Sequence, residues 1–254
     1  MGSKKYKGKL CVYCRERPSE DGDHVVCREF FPINRRSDLP KVPACKLCNN
    51  EKSLLEHYLT TVLPFGARHA DAREVIEMTP ARLARNRALH ERLANGLRHV
   101  LRSRNGGPWE MDMTIPLDGT AVEKLFEFIV RGLAWHHWKL ELNNSHFVRT
   151  SFLSAAGRQH FDGFFAGTAR DHVNCNLAGG GFSYEGVQAN DNSALTMWRM
   201  SLFGLEVSDV NERVSIVYGI TVPKQWPVAQ RLIEQLGEGT CQKGYRWSKM
   251  ADTG

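Results

Sequence analysis

Four cysteines near the N-terminus have the spacing of a metal site. Cys11 and Cys14 form one Cys-x-x-Cys pair, and Cys45 and Cys48 form a second. Two such pairs are typical of a structural zinc site, in which four thiolates fill every coordination position. The chain contains seven cysteines, an odd number, and begins without an apolar export signal, so a disulfide framework is the less favoured interpretation. The sequence therefore predicts that these four cysteines bind Zn²⁺.

Side chains suited to phosphodiester chemistry stand between and just after the two cysteine pairs. Asp23 and His24 are neighbours within the 30 residues that separate the pairs, and Asn49 follows the second pair directly. Hydrolysis of a phosphodiester requires an activated water, positive charge on the phosphate and assistance to the leaving oxygen. A divalent ion with oxygen ligands supplies the last two, and Asp23 and Asn49 offer such oxygens. His24, whose ordinary pKa is about 6.5, is suited to act as a general base near neutral pH.

Taken in order, these residues resemble the motifs of the HNH endonuclease family. The similarity covers roughly residues 10–60 and includes both cysteine pairs, the Asp23-His24 pair and an Asn49-x-x-Lys52 sequence at the start of a helix. It implies a zinc-stabilised ββα-metal (HNH) nuclease domain that hydrolyses DNA. In the family pattern His24 is the catalytic base. Asp23 and Asn49 hold a catalytic Mg²⁺ or Mn²⁺ that is separate from the structural zinc.

One position departs from the family pattern. Pro40 stands where the family has its middle Asn, which braces the hairpin loop and does not touch the metal. The departure puts the geometry of the loop in doubt more than the chemistry. Two rival interpretations stay open: a non-catalytic, zinc-dependent DNA-binding module, and a nuclease subunit that cuts only with a partner. Nucleases of this family and size occur in restriction, homing and anti-phage systems, including the Zorya system, so the resemblance implies a role in restriction or anti-phage defence.

Positive charge is concentrated in the first part of the chain. The whole sequence has a formal net charge of +6, but the first 104 residues sum to +9 and the remainder to −3. A polyanion such as DNA would therefore meet the N-terminal part. We expect substrate contacts from Lys52 and from three arginines of the segment that follows, Arg82, Arg85 and Arg92. The alternative is that these residues form a solvated face that serves only solubility.

Turn signals and periodicity divide the chain into three predicted parts with an overall α+β fold. Residues 1–66 are the zinc-bearing nuclease domain, and residues 67–106 are an arginine-rich helical segment whose leucines recur at helical spacing. Asn105-Gly106-Gly107-Pro108 marks the boundary with the third part, residues 107–254. That part is predicted to be a mixed α+β domain with an antiparallel sheet. Its predicted helix spans residues 120–138, and its predicted strands are 111–115, 146–152, 182–187, 194–207 and 213–222.

The C-terminal part shows no motif with chemistry of its own. We expect it to recognise DNA, to bind a protein partner or to restrain the nuclease until a signal arrives. The sequence has no run of about 18 apolar residues, the length that a membrane span requires. Its basic start leads straight into Cys11, so we expect a cytoplasmic protein without a membrane segment.

Overall fold

Helices and antiparallel strands alternate along the chain. This computed structural model describes residues 4–67, 69–103, 107–115, 117–167, 169–204, 207–208, 213–214 and 216–227. The helices are α1 (Lys46–Val62), α2 (Asp71–Glu77), α3 (Thr79–Arg85), α4 (Arg87–Gly96), α5 (Gly119–Trp138) and α6 (Ala155–Gly167). The strands are β1 (Asp21–His24), β2 (Lys41–Ala44), β3 (Arg98–Ser103), β4 (Trp109–Thr114), β5 (His146–Ser151), β6 (Ala169–Leu177), β7 (Phe182–Ala189), β8 (Thr196–Leu202), β9 (Val207–Ser208), β10 (Arg213–Val214) and β11 (Val217–Pro223). The predicted α+β fold class with antiparallel sheets is confirmed.

The N-terminal part consists of a two-stranded sheet followed by a helix. β1 and β2 pair antiparallel, with Asp23 opposite Val42. The backbone of Cys45 is extended (φ −79°, ψ 156°), and α1 begins at the next residue. The change from strand to helix therefore falls inside the second cysteine pair. It places Cys45 just before α1 and Cys48 in the first turn of that helix.

The segment predicted to be helical over residues 67–106 ends in a strand instead. α2, α3 and α4 are short helices, and α4 stops at Gly96. Leu97 has an extended backbone, and the residues after it form β3, which pairs antiparallel with β4. Leu101 has the spacing of the helical stripe, but it lies opposite Met111 and is 62% exposed. The helical prediction is wrong beyond residue 96, because glycine weakens a helix there and β4 offers the backbone partners for a sheet. The predicted boundary at residues 105–106 lies outside the described residues.

The C-terminal part contains a five-stranded antiparallel sheet in the order β5-β11-β8-β7-β6. Successive residues of a strand point to opposite faces of the sheet, and each face is covered by one helix. On one face Tyr184 and Trp198 pack into the cluster that contains α5, and on the other Met197 packs with Phe161 of α6. This sheet is the antiparallel sheet that the sequence predicts for residues 107–254.

The predicted elements of the C-terminal part correspond closely to the observed ones. The predicted helix is α5, and the strands predicted at 111–115, 146–152 and 182–187 are β4, β5 and β7. The strand predicted over 194–207 ends early, because Phe203 and Gly204 have positive φ angles of 56° and 59° and turn the chain after β8. The strand predicted over 213–222 is divided between β10 and β11. The sequence does not predict α6 or β6. Within the described residues, no helix is both long and apolar enough to cross a membrane.

One hydrophobic core joins the N-terminal sheet and helix to the C-terminal sheet. Its buried residues run from Cys11 through α1 and α5 to Trp198 of β8. Tyr13, between the first two cysteines, packs edge-on against Phe128 of α5, with the ring centroids 5.0 Å apart. The described residues of the predicted N-terminal and C-terminal parts therefore share one buried core.

Candidate metal sites and cleft

The four predicted zinc ligands lie together. The Sγ atoms of Cys11, Cys14, Cys45 and Cys48 all lie within 4.8 Å of one another. A turn before β1 carries the first pair, and the junction of β2 with α1 carries the second. Three of the four residues are buried, and four converging thiols are the donor set of a tetrahedral zinc site. The cluster can therefore hold a metal ion such as zinc.

A cationic side chain, Arg17, lies against the cysteine cluster. Its Nε donates to Sγ of Cys45 at 3.4 Å, and its Nη2 donates to Sγ of Cys48 at 3.6 Å. Burial raises the pKa of Cys11 and of Cys48. Burial also raises the pKa of Cys45, but hydrogen bonds from Arg17 and from the backbone of Cys48 outweigh this effect and lower the pKa of Cys45 to about 6. Arg17 thus favours a thiolate in the cluster, which is the form that binds a metal.

Two donors from other elements hold the carboxylate of Asp23. Its Oδ2 accepts a hydrogen bond from the hydroxyl of Tyr13 at 2.6 Å and forms an ion pair with Nζ of Lys52 at 3.0 Å. Burial is the main reason that the pKa of Tyr13 is raised well above its ordinary value, and the charge of Asp23 adds to it. The hydroxyl therefore keeps its proton and acts as a donor. The position of Asp23 depends on these two contacts as well as on β1.

Lys52 occupies a different position from the surface phosphate contact predicted for it. Its side chain is wholly buried, and its Nζ contacts the carboxylates of Asp23 and Glu56 and donates to the carbonyl oxygen of His24 at 2.7 Å. Burial lowers the pKa of Lys52, but the two carboxylates outweigh burial and raise the pKa above its ordinary value. The difference arises because Glu56 stands one helical turn after Lys52 and β1 packs against the same face of α1. Lys52 therefore holds Asp23 and the backbone of His24 in place and does not face solvent.

His24 lines a cleft together with Asp23. In a regular strand two consecutive residues point to opposite faces, but His24 is the last residue of β1 and both residues line the same cleft. Burial and the charge of Lys41 lower the pKa of His24 to about 4, although the charge of Asp23 opposes them. The imidazole is therefore neutral near neutral pH and has a nitrogen lone pair that can accept a proton.

The cleft has a volume of about 1160 Å³ and lies between two walls. β1 and α1 form the first wall, and α3 with the start of α4 forms the second. Arg82 of α3 joins the walls, because its guanidinium donates to the carbonyl oxygens of Thr60 at 2.8 Å and of Glu29 at 2.9 Å. This predicted substrate contact therefore has structural partners that fix the width of the cleft.

The other two predicted DNA-contacting arginines lie in different places. Arg85 is exposed and lines the cleft. Arg92 lies outside the cleft lining, where it stacks on the ring of Tyr58 and pairs with Asp118 at 3.0 Å. Of the three, Arg85 is the one whose position suits a contact with a ligand in the cleft.

Asn49, the predicted second ligand of the catalytic ion, is exposed in the first turn of α1. Among the described residues, the cleft lining includes Ser53, one helical turn further along, and does not include Asn49. The structure thus brings Asp23 and His24 together and leaves Asn49 outside the lining. The hairpin forms with Pro40 in place of the middle Asn, and the carbonyl oxygen of Pro40 accepts a hydrogen bond from Val25 N at 2.8 Å.

Sequence reasoning missed three residues of this region: Tyr13, Arg17 and Glu56. The spacing of Glu56 from Lys52 is that of a helical ion pair, and this signal was available in the sequence. No pattern marked Tyr13, whose partner Asp23 lies 10 residues away, or Arg17, whose partners lie 28 and 31 residues away. Comparison with known proteins gave no further assignment: the sequence matched no protein-family model, no curated protein and no solved structure.

Proposed function

We propose that the chain is a metal-dependent DNA endonuclease of the HNH type that hydrolyses phosphodiester bonds in the cleft. The observation that carries the proposal is the position of Asp23 and His24, which line one wall of the cleft side by side. The four cysteines of the cluster are not among the residues that line the cleft. A carboxylate and a neutral imidazole are two groups that this hydrolysis needs. Their separation from the cysteines supports a structural role for zinc and a catalytic role for a second ion.

The oxygen donors of Asp23 and Asn49 have the chemistry that a hard divalent ion prefers, although Asn49 lies outside the cleft lining. Asp23 and the amide oxygen of Asn49 would hold Mg²⁺ or Mn²⁺. Such an ion neutralises charge on the phosphate and stabilises the leaving 3′ oxygen. Both contacts that Asp23 makes with Tyr13 and Lys52 use Oδ2, which supports Oδ1 as the ligand atom. Asn49 is exposed, so its amide is accessible to an ion.

His24 is the general base of the proposed reaction. Its neutral imidazole accepts the proton of the attacking water, and the attack leaves a 5′-phosphate and a 3′-hydroxyl. The hydrogen bond from Lys52 to the carbonyl oxygen of His24 fixes the backbone at this residue and so limits the positions that the ring can reach. A base positioned in this way contributes about 10²- to 10⁴-fold to a rate.

The charge distribution supports DNA as the substrate. The first 104 residues, which include both walls of the cleft, have a net charge of +9. Arg28, Lys41 and Arg85 line the cleft and are exposed to solvent. Phosphates that they neutralise would release counterions, which gives an affinity that falls as salt rises.

Cleavage of supercoiled plasmid by the zinc-loaded chain tests the proposal. We expect open-circular or linear product with Mg²⁺ or Mn²⁺, and none when EDTA is present. Asp23→Asn should remove cutting while a gel-shift assay still detects bound DNA. Cutting that persists in Asp23→Asn would contradict the proposal.

A zinc-dependent DNA-binding module without catalysis is the second candidate. The observation in its favour is that Lys52 already pairs with Asp23, while Asn49 lies outside the cleft lining. This candidate predicts a shifted DNA band without cleavage at any concentration of Mg²⁺ or Mn²⁺. DNA that is bound and not cut would favour this binding module or a nuclease subunit that requires a partner.

A further inference from the structure

We propose that Tyr13 is a positioning residue that links the cysteine cluster to the catalytic ion site by fixing the carboxylate of Asp23. The inference rests on the proposed function, because it concerns the ion that Asp23 would hold. It goes beyond that function by giving the cysteine cluster an effect on the affinity of the second site.

The first observation is where Tyr13 lies. It stands between Cys11 and Cys14, so any ion held by those two cysteines fixes the backbone on both sides of it. Its side chain is 5% exposed, and its ring packs edge-on against Phe128. The hydroxyl reaches Oδ2 of Asp23 at 2.6 Å, and a hydrogen bond to a charged acceptor is stronger than one between neutral groups.

The second observation is that the turn containing Tyr13 is tied to the strands that carry Asp23. The backbone N–H of Val12 donates to the carbonyl oxygen of Pro43 in β2 at 2.9 Å. Pro43 lies opposite Gly22, the residue before Asp23, in the sheet. The turn is closed by a hydrogen bond from Cys11 N to the carbonyl oxygen of Arg17 at 2.9 Å. Movement of the first cysteine pair would therefore move Tyr13 relative to Asp23.

The third observation is that Asp23 has two donors of different kinds on one oxygen. Lys52 is held by Glu56 and by the carbonyl oxygen of His24, so its ammonium group is fixed without help from Tyr13. Without the tyrosine hydroxyl, Lys52 would be the one remaining donor of the two, and the carboxylate could turn its second oxygen away from the cleft. Partners behind a metal ligand typically change metal affinity by about 10- to 100-fold. We therefore expect loss of the hydroxyl to weaken binding of the ion at Asp23 by about tenfold or more.

The test is a titration of the zinc-loaded full chain with Mn²⁺, in which electron paramagnetic resonance measures the concentration of free Mn²⁺. Tyr13→Phe removes one oxygen and keeps the ring. Tyr184→Phe is the matched control, because Tyr184 is 3% exposed and its hydroxyl has a hydrogen-bond contact with His137 in the C-terminal part. We expect Tyr13→Phe to weaken Mn²⁺ binding by about tenfold or more while Tyr184→Phe leaves it unchanged. Cutting by Tyr13→Phe should recover at high Mn²⁺, and its affinity for DNA should not change.

The possible failures can be distinguished. A wild-type chain that neither binds Mn²⁺ nor cuts DNA would overturn the proposed function and this inference with it. A wild-type chain that does both, beside Tyr13→Phe with unchanged Mn²⁺ affinity, would overturn the role of Tyr13 alone. Zinc content is measured for each variant. Loss of zinc from Tyr13→Phe would show that the hydroxyl acts on the cysteine cluster, and it would also overturn the proposal.

Discussion

Gly132 of α5 lies directly against Val25, the residue that follows β1. A Cβ atom at position 132 would stand 2.8 Å from each methyl group of Val25, which is closer than side chains normally approach. Val25 follows His24 and is itself completely buried. The helix at the centre of the C-terminal part is therefore packed against the side chain of the residue that directly follows the proposed catalytic pair. A chain cut at residue 106 would lose this packing, so the role of residues 107–254 is better tested by point substitutions.

The contact gives a prediction with an internal control. Gly132→Ala should lower the free energy of unfolding by about 1–3 kcal/mol, because overpacking forces a shift in the core. Gly163→Ala in α6 introduces the same methyl group where nothing lies within 4 Å. It should raise the free energy of unfolding by about 0.5–1 kcal/mol, since alanine is the better helix former. Urea unfolding of the two variants and the wild type measures both effects. Equal effects in the two variants would contradict the close packing.

Substitution of Arg82 should lower stability, whereas substitution of Arg85 should weaken DNA binding. Arg82→Ala removes the donor to two backbone carbonyl oxygens, at Thr60 and Glu29, and should lower the free energy of unfolding by about 1–3 kcal/mol. Arg85→Ala should change stability by less than about 0.5 kcal/mol, because the side chain is exposed. It should weaken DNA binding and reduce the salt dependence by about one phosphate contact. Melting curves measure the stability of both variants, and gel shifts at several salt concentrations measure their DNA binding. A stable Arg82→Ala variant beside a destabilised Arg85→Ala variant would contradict the prediction.

Lys52 should stabilise the fold strongly, because its loss leaves the two partly buried carboxylates of Asp23 and Glu56 without a cation. Lys52→Met should lower the free energy of unfolding by about 3–5 kcal/mol. The double variant Lys52→Met with Glu56→Gln also lacks the negative charge of Glu56. It should therefore recover part of the lost free energy of unfolding. Denaturant unfolding of both variants gives the comparison. A single variant as stable as the wild type would show that the buried ion pairs contribute little.

His137 should make the chain less stable in mild acid. Burial, together with the charges of His136 and Lys139, lowers the pKa of His137 to about 4, and its Nε2 lies 2.8 Å from the hydroxyl of Tyr184. The ordinary value, which holds in the unfolded chain, is about 6.5. The unfolded chain therefore binds more protons between these two values, and the stabilising contribution is complete above pH 6.5 and is lost as the pH falls towards 4. His137→Gln should lose less stability than the wild type between pH 7.5 and pH 5 in urea titrations, and an equal loss would contradict this role.

The clustering of the four cysteines could be predicted because a metal site depends on residue type and short spacing. The two Cys-x-x-Cys pairs come together as expected, and Asp23 and His24 share one cleft. The burial of Lys52 could not be predicted in the same way. It depends on β1 packing against α1, a contact between residues 28 or more positions apart.

The errors in the predicted fold also arise from contacts between segments that are distant along the chain. A spacing of four residues between Leu97 and Leu101 fits a helix, but it does not exclude a strand once β4 is present as a partner. Arg82 looks like its neighbour Arg85 in the sequence, and the two differ because the backbone carbonyls of Thr60 and Glu29 lie within reach of one of them. Contacts made by the backbone of distant segments leave no mark in a pattern of side chains.

The proposed role of His24 as the base of a hydrolytic site can be tested directly, because a second histidine lines the same cleft. His24 ends β1 and His57 lies on α1, and both line the cleft. The measurement is single-turnover cleavage of an end-labelled DNA duplex with Mn²⁺ by the wild type, His24→Ala and His57→Ala. We predict a rate about 10²- to 10⁴-fold lower for His24→Ala, with DNA binding retained, and a rate close to that of the wild type for His57→Ala. Undiminished cleavage by His24→Ala would contradict this role.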